Sequence, residues 1–71
     1  MANKENYSVK AEIEKALLKL LTQKEYTDIT ITDVVKEAKV ALVSFYRNFS
    51  SIADILESIA EQTMQKFNIE L

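Results

Sequence analysis

Residues 30–49 read TITDVVKEAKVALVSFYRNF, and the pattern of this stretch decides the fold. Thr30 is followed three residues later by Asp33, the spacing of a capping box with aspartate in place of the usual glutamate. Ile29 before the cap and Val34 after it are placed to close over the helix start as a hydrophobic staple. Val34, Val35 and Ala38 then give one apolar side of a helix about two turns long. Adjacent β-branched valines are weak helix formers, so packing rather than propensity must hold this element. Around Lys39 and Val40 the period loses phase, which marks a tight turn, with Val40 expected between the two helices it joins. A second short helix follows from Leu42 to Phe49. Its Phe45 and Phe49, at i and i+4, face the core. Val43 and Arg47 fall on the opposite side, Ser44 and Tyr46 flank them, and Leu42 and Asn48 sit at the border.

Both flanks read as amphipathic helices. Upstream, Ile13, Ala16, Leu17, Leu20 and Leu21 form a one-sided apolar stripe. Ser8 stands as its N-cap, and the helix is expected to fade near Gln23–Glu25. Tyr26 is expected to drop its ring into the core as the chain turns, and residues 1–7 are expected to form a disordered tail. Downstream, Ser51 and Asp54 repeat the capping-box spacing. The stripe Ile52, Ile55, Leu56, Ile59, Thr63 and Phe67 predicts a long final helix. The fold class is therefore all-α, a small bundle of about four helices in one domain spanning residues 1–71. A chain of this length buries only about 60% of its unfolded surface, so the core must be well filled.

Composition narrows the chemistry. An apolar fraction of 48% with 28% charged residues is that of a globular chain. With Gly 0 and Pro 0, turns must be built from polar side chains and long helical runs meet no breaker. Cys 0 and His 0 exclude disulfides, thiolate metal sites, histidine triads and zinc hydrolase sites. Carboxylates and lysines do not cluster on an apolar face as a catalytic pair would, so no enzyme, metal or cofactor is expected. No apolar run approaches the ~20 residues that span a bilayer, and the N-terminus lacks the apolar segment of a signal peptide. No membrane association and a cytoplasmic location are expected.

The net charge of −2 and a pI near 5.0 work against a polyanionic partner in the sum. Distribution matters more than the sum. Residues 1–24 hold Lys4, Lys10, Lys15, Lys19 and Lys24 against Glu5, Glu12 and Glu14, whereas at the back Asp54, Glu57, Glu61 and Glu70 face Lys66 alone.

Two short helices joined by a tight turn and braced by a helix on each side follow the helix-turn-helix plan. The run Tyr26, Thr30, Val34, Ala38, Val40, Phe45, Tyr46, Phe49 resembles the N-terminal DNA-binding domain of TetR-type bacterial transcriptional regulators, a homeodomain-like fold. The resemblance covers roughly residues 9–60 and rests on the Phe-Tyr-x-x-Phe block lying at the right distance from the Thr cap and the Ala-x-Val turn. It implies sequence-specific binding of double-stranded DNA in transcription regulation, as a repressor, by a homodimer on a palindromic operator. It also implies a second, larger helical domain for effector binding and dimerisation, into which the last helix would lead and which this sequence does not include.

Carried over position by position, the resemblance puts Thr30 and Thr32 where a helix start meets a phosphate. Leu42, Val43 and Ser44 would face base edges, Tyr46 and Asn48 would hydrogen-bond the DNA backbone, and Arg47 would reach bases or phosphate. Apolar Leu42 and Val43 can contact a thymine methyl, and Arg47 can hold guanine in a bidentate manner. Four positions depart from the family pattern. Lys39 replaces a glycine, Ala41 a serine or threonine that caps the second helix, Leu42 a commonly polar residue, and Ile52 a phosphate-touching lysine. A second reading stays open on the same residues: exposed Leu42 and Val43 could instead mark a protein-interaction module, or a TetR-like domain with weak or lost DNA binding.

Overall fold

Hydroxyl side chains begin three of the four helices. In the computed structural model, which describes residues 8–67, Ser8 Oγ accepts from the Ala11 N–H at 3.2 Å and opens α1 (Val9–Leu20). Thr30 and Asp33 form a complete capping box at the start of α2 (Ile31–Ala38). The Asp33 N–H donates to Thr30 Oγ1 at 3.1 Å, and the Thr30 N–H donates to Asp33 Oδ2 at 3.0 Å. Ser51 Oγ accepts from the Asp54 N–H at 3.2 Å ahead of α4 (Ile52–Phe67). The Asp54 carboxylate does not complete a box with Ser51. It accepts instead from the Ser50 N–H at 2.8 Å, one residue further out, because the chain is bent at both serines. Only α3 (Leu42–Asn48) starts without a side-chain cap, since Ala41 has no oxygen to offer.

The turn between α2 and α3 is a Schellman motif. The Val40 N–H reaches back to Val35 O at 3.1 Å and the Lys39 N–H to Lys36 O at 3.3 Å. That geometry requires a left-handed residue, and Lys39 supplies it at φ 62°, ψ 43°. It is the one residue with positive φ among those described. Val40 and Val35, the pair that closes a Schellman turn, are half-buried and pack against the core together.

The core joins all four helices. Ile13, Ala16, Leu17 and Leu20 of α1 meet Val34 of α2, Phe45 of α3, Phe49 just past its end and Ile55 of α4, with Ile29 lying before α2. Phe45, Ile13, Leu17, Val34 and Ile55 are wholly excluded from solvent. The α1 stripe and the Ile52, Ile55, Leu56 and Ile59 part of the α4 stripe fall where the periodicity placed them, and no strand occurs among the described residues.

Three expectations are corrected. Tyr26 does not enter the core: it begins a 3₁₀ turn (Tyr26–Asp28), is 39% exposed, and Ile29 fills the interior position instead. A phenol buried there would need a hydrogen-bond partner that an isoleucine does not. The regular part of α1 ends at Leu20, three residues early, in a turn where the Thr22 hydroxyl donates to Lys19 O at 2.7 Å. Thr63 is exposed rather than part of the α4 stripe, its hydroxyl donating to Ile59 O at 3.0 Å. The expected tail at residues 1–7 and the side chain of Phe67 lie outside the described residues.

Inside the apolar seam between α1 and α4 sits one charged side chain that sequence reading passed over. Glu14 is only 9% exposed. Its Oε2 accepts from the Ser58 hydroxyl at 2.7 Å and from Gln62 Nε2 at 3.0 Å. Buried polar groups need such partners, and both come from α4.

Candidate nucleic-acid interface

The second helix of the motif is backed by aromatics and faces outward with a mixed apolar and cationic surface. Phe45 and Phe49 anchor α3, their ring centroids 6.0 Å apart. Phe45 also takes the edge of Tyr46 at 5.3 Å and 84°, a T-shaped contact that holds the phenol base against the core while 55% of the residue stays exposed. Leu42 and Val43 are 51% and 58% exposed, values that set them apart from every core residue of the chain. Arg47 is exposed one turn beyond Val43, on the same side.

The polar members of the group differ in what they are free to do. Ser44 is half-buried, and its carbonyl accepts from Asn48 Nδ2 at 2.9 Å. That bond folds the Asn48 amide back on its own helix. Asn48 also lines a shallow groove with Asp54, Glu57 and Glu61, three carboxylates against the single cation Lys10, so the carboxyl end of α3 has mostly acidic charge beside it. Thr30 and Thr32 are exposed at the start of α2, and the Thr30 hydroxyl already serves the Asp33 N–H.

Ion pairing redraws the charge map given by the sequence. Lys19 pairs with Glu37 at 3.1 Å and Lys24 with Asp33 at 3.0 Å, tying the end of α1 and its following turn to α2. Lys15 pairs with Glu12 at 3.4 Å. Among the described front cations, Lys15, Lys19 and Lys24 are thus engaged within the fold, and Lys10 is in none of these pairs. The Thr30 backbone N–H, followed by Lys24, holds the Asp33 carboxyl below its ordinary value of 3.8. Lys36, Lys39 and Arg47 are exposed, and no carboxylate pairs with them among the described residues. Lys36 and Lys39 were not among the sequence-derived site residues. The cross-element pairing that leaves these cations available cannot be seen along a single helix.

A helix-turn-helix whose second helix is braced by Phe45 and Phe49 and presents its other face to solvent has the form of a groove-reading element. The family profile described as "Bacterial regulatory proteins, tetR family" matches residues 13–59, about two-thirds of the chain. The chain belongs to that family. Its members are DNA-binding regulators of transcription, and the matched span runs from the α1 core through the capping box, the Schellman turn and α3 into α4. No curated protein and no solved structure matches the chain closely enough to add a nearer relative. No helix among the described residues is long and apolar enough to cross a membrane.

Proposed function

We propose that this TetR-family domain binds double-stranded DNA in a sequence-specific way, with α3 in the major groove, and so regulates transcription as a repressor. In this reading the whole protein works as a homodimer on a palindromic operator through a domain beyond this sequence, in the cytoplasm and without enzymatic activity. The observation that carries it is the outward face of α3, where Leu42, Val43, Tyr46 and Arg47 are presented on a helix fixed from behind by two phenylalanines. Leu42, Val43 and Ser44 meet base edges, Arg47 meets a base or a phosphate, and Tyr46 hydrogen-bonds the DNA backbone. Thr30 and Thr32 approach a phosphate at the start of α2. Asn48 stands at the rim, because its amide is engaged with Ser44 O and the groove beside it holds three carboxylates against one lysine.

A lone half-site reader forgoes the avidity of a dimer, so the isolated chain should bind weakly and with strong salt dependence. A chemical-shift titration with a short mixed-sequence duplex at low and moderate salt tests the reading. Shifts should concentrate at Thr30–Thr32 and Leu42–Asn48 and fade as salt rises. An unshifted spectrum at low salt and high protein concentration would refute DNA binding by this chain. The second reading, a protein-interaction module, draws on the same exposed Leu42, Val43 and Tyr46 and on the net charge of −2.

A further inference from the structure

Accepting that α3 enters the major groove, we infer that the bases facing its first turn are thymines, read through their 5-methyl groups by Leu42 and Val43. The argument begins with what the first turn lacks. Its side chains are Leu42, Val43 and Ser44. Ser44 is half-buried, and the next amide along the helix, Asn48, is folded back on the Ser44 carbonyl. No asparagine, glutamine, lysine or carboxylate stands in this turn to form a bidentate pair with a base. Hydrogen-bonding reach on α3 comes one turn later, from Tyr46 and Arg47.

The chemistry of the groove then selects the base. Apart from small ring C–H groups, guanine, adenine and cytosine present hydrogen-bonding atoms along the major-groove edge, whereas thymine adds a full apolar group, its methyl. An apolar side chain pressed against N7, O6 or an exocyclic amine strips water from a polar atom and returns no bond. Against a thymine methyl the same side chain buries apolar surface on both partners. Leu42 and Val43 therefore favour thymine and disfavour the other bases at the same position. Val43 is stiff about χ1, so little freedom is lost when it is held there.

Charge favours DNA over a protein as the occupant of this apolar pair. Lys36 of α2, Lys39 of the turn and Arg47 of α3 are exposed without carboxylate partners among the described residues, and α3 itself carries no acidic residue. Exposed apolar side chains on a helix-turn-helix that also carries unpaired cations suit a groove whose floor carries methyls and whose walls carry phosphates.

The test uses the full 71-residue chain. Duplexes are enriched by it from a random thymine-containing library at low salt. Each thymine of the enriched site is then replaced singly by deoxyuridine, which removes the methyl and leaves every hydrogen-bonding atom. At one or two adjacent positions the loss of the methyl should weaken binding roughly fourfold, the factor that accompanies burial of one methylene-sized group. V43S and L42S, both at exposed positions and checked to melt as the parent does, should each remove the sensitivity at one of these positions. Enriched duplexes that bind equally well with deoxyuridine, or whose sensitivity survives both substitutions, would overturn methyl reading while leaving DNA binding intact. Failure to enrich any duplex overturns both. Concentration-dependent self-association abolished by V43S would, in that case, assign the face to protein contact.

Discussion

Replacing Lys39 with glycine should stabilise this domain, and the size of the gain follows from the turn geometry. Lys39 sits at φ 62°, ψ 43°, where a Cβ crowds the backbone and costs about 1–2 kcal/mol. Glycine removes that cost but adds about 0.5–1 kcal/mol of extra unfolded-state entropy. The net gain expected for K39G is centred on about 0.75 kcal/mol within a span of about 0–1.5 kcal/mol, and a gain of 1 kcal/mol raises Tm by about 4–8 °C in a domain this small. No ion pair is lost, since no carboxylate pairs with Lys39 among the described residues. K39A is the control: it discards the side chain and keeps the strained conformation, so it should stay within about 0.5 kcal/mol of the parent. K39V should be the least stable, because a β-branched residue tolerates positive φ poorly. Circular dichroism melts at 222 nm rank the three. If K39G melted no higher than K39A, the strain assigned to this turn would be absent and the reasoning refuted.

Three further outcomes can be measured. Glu14→Ala removes the acceptor shared by Ser58 and Gln62 and should destabilise the domain by about 1–3 kcal/mol in urea. Glu14→Leu, which fills the space without burying a charge, should recover much of that loss; equal losses would show that the lost acceptor, not packing, sets the cost there. The depressed Asp33 value makes its contribution pH-dependent, with a definite sign. A carboxyl whose folded value lies below its unfolded one adds stability above about pH 4, and that stability is lost as pH falls through the folded value. The melting difference between parent and Asp33→Asn should accordingly be present at pH 6 and narrow as pH falls below 4; a constant difference would contradict the linkage. Arg47→Ala should weaken duplex binding while leaving thermal unfolding within about 0.5 kcal/mol. If the contact is to a phosphate, the salt slope falls by about 1. A large drop in stability would mark Arg47 as structural.

What could be read from the chain was what is local. Ser8, Thr30 and Ser51 announce helix starts because a hydroxyl satisfies an N–H three residues on. Phe45 and Phe49 announce the buried side of α3 through their spacing. The features that were not legible depend on partners far along the chain or on competition between equal options. Tyr26 can lie in or out, and Ile29 is the better filler of the one interior place available. Glu14 looks like any solvated acid until Ser58 and Gln62 arrive from α4. The pairs Lys19–Glu37 and Lys24–Asp33 join separate elements, so summing charge along the sequence overstated the positive field at the front. Asn48 had two uses for its amide, and the nearer carbonyl took it.

Glu14 has one more effect, on how α4 can move against α1. Apolar contact has no direction, so a helix held by stripes alone can roll or slide with little penalty. A carboxylate that accepts from Ser58 and Gln62, one helical turn apart, has only one satisfying alignment. Sliding α4 by a turn would leave a buried charge facing the wrong side chains, and rolling it would strip one donor away. These two bonds therefore favour one register of α4 on α1, and a slide or roll between the two helices has to break them first.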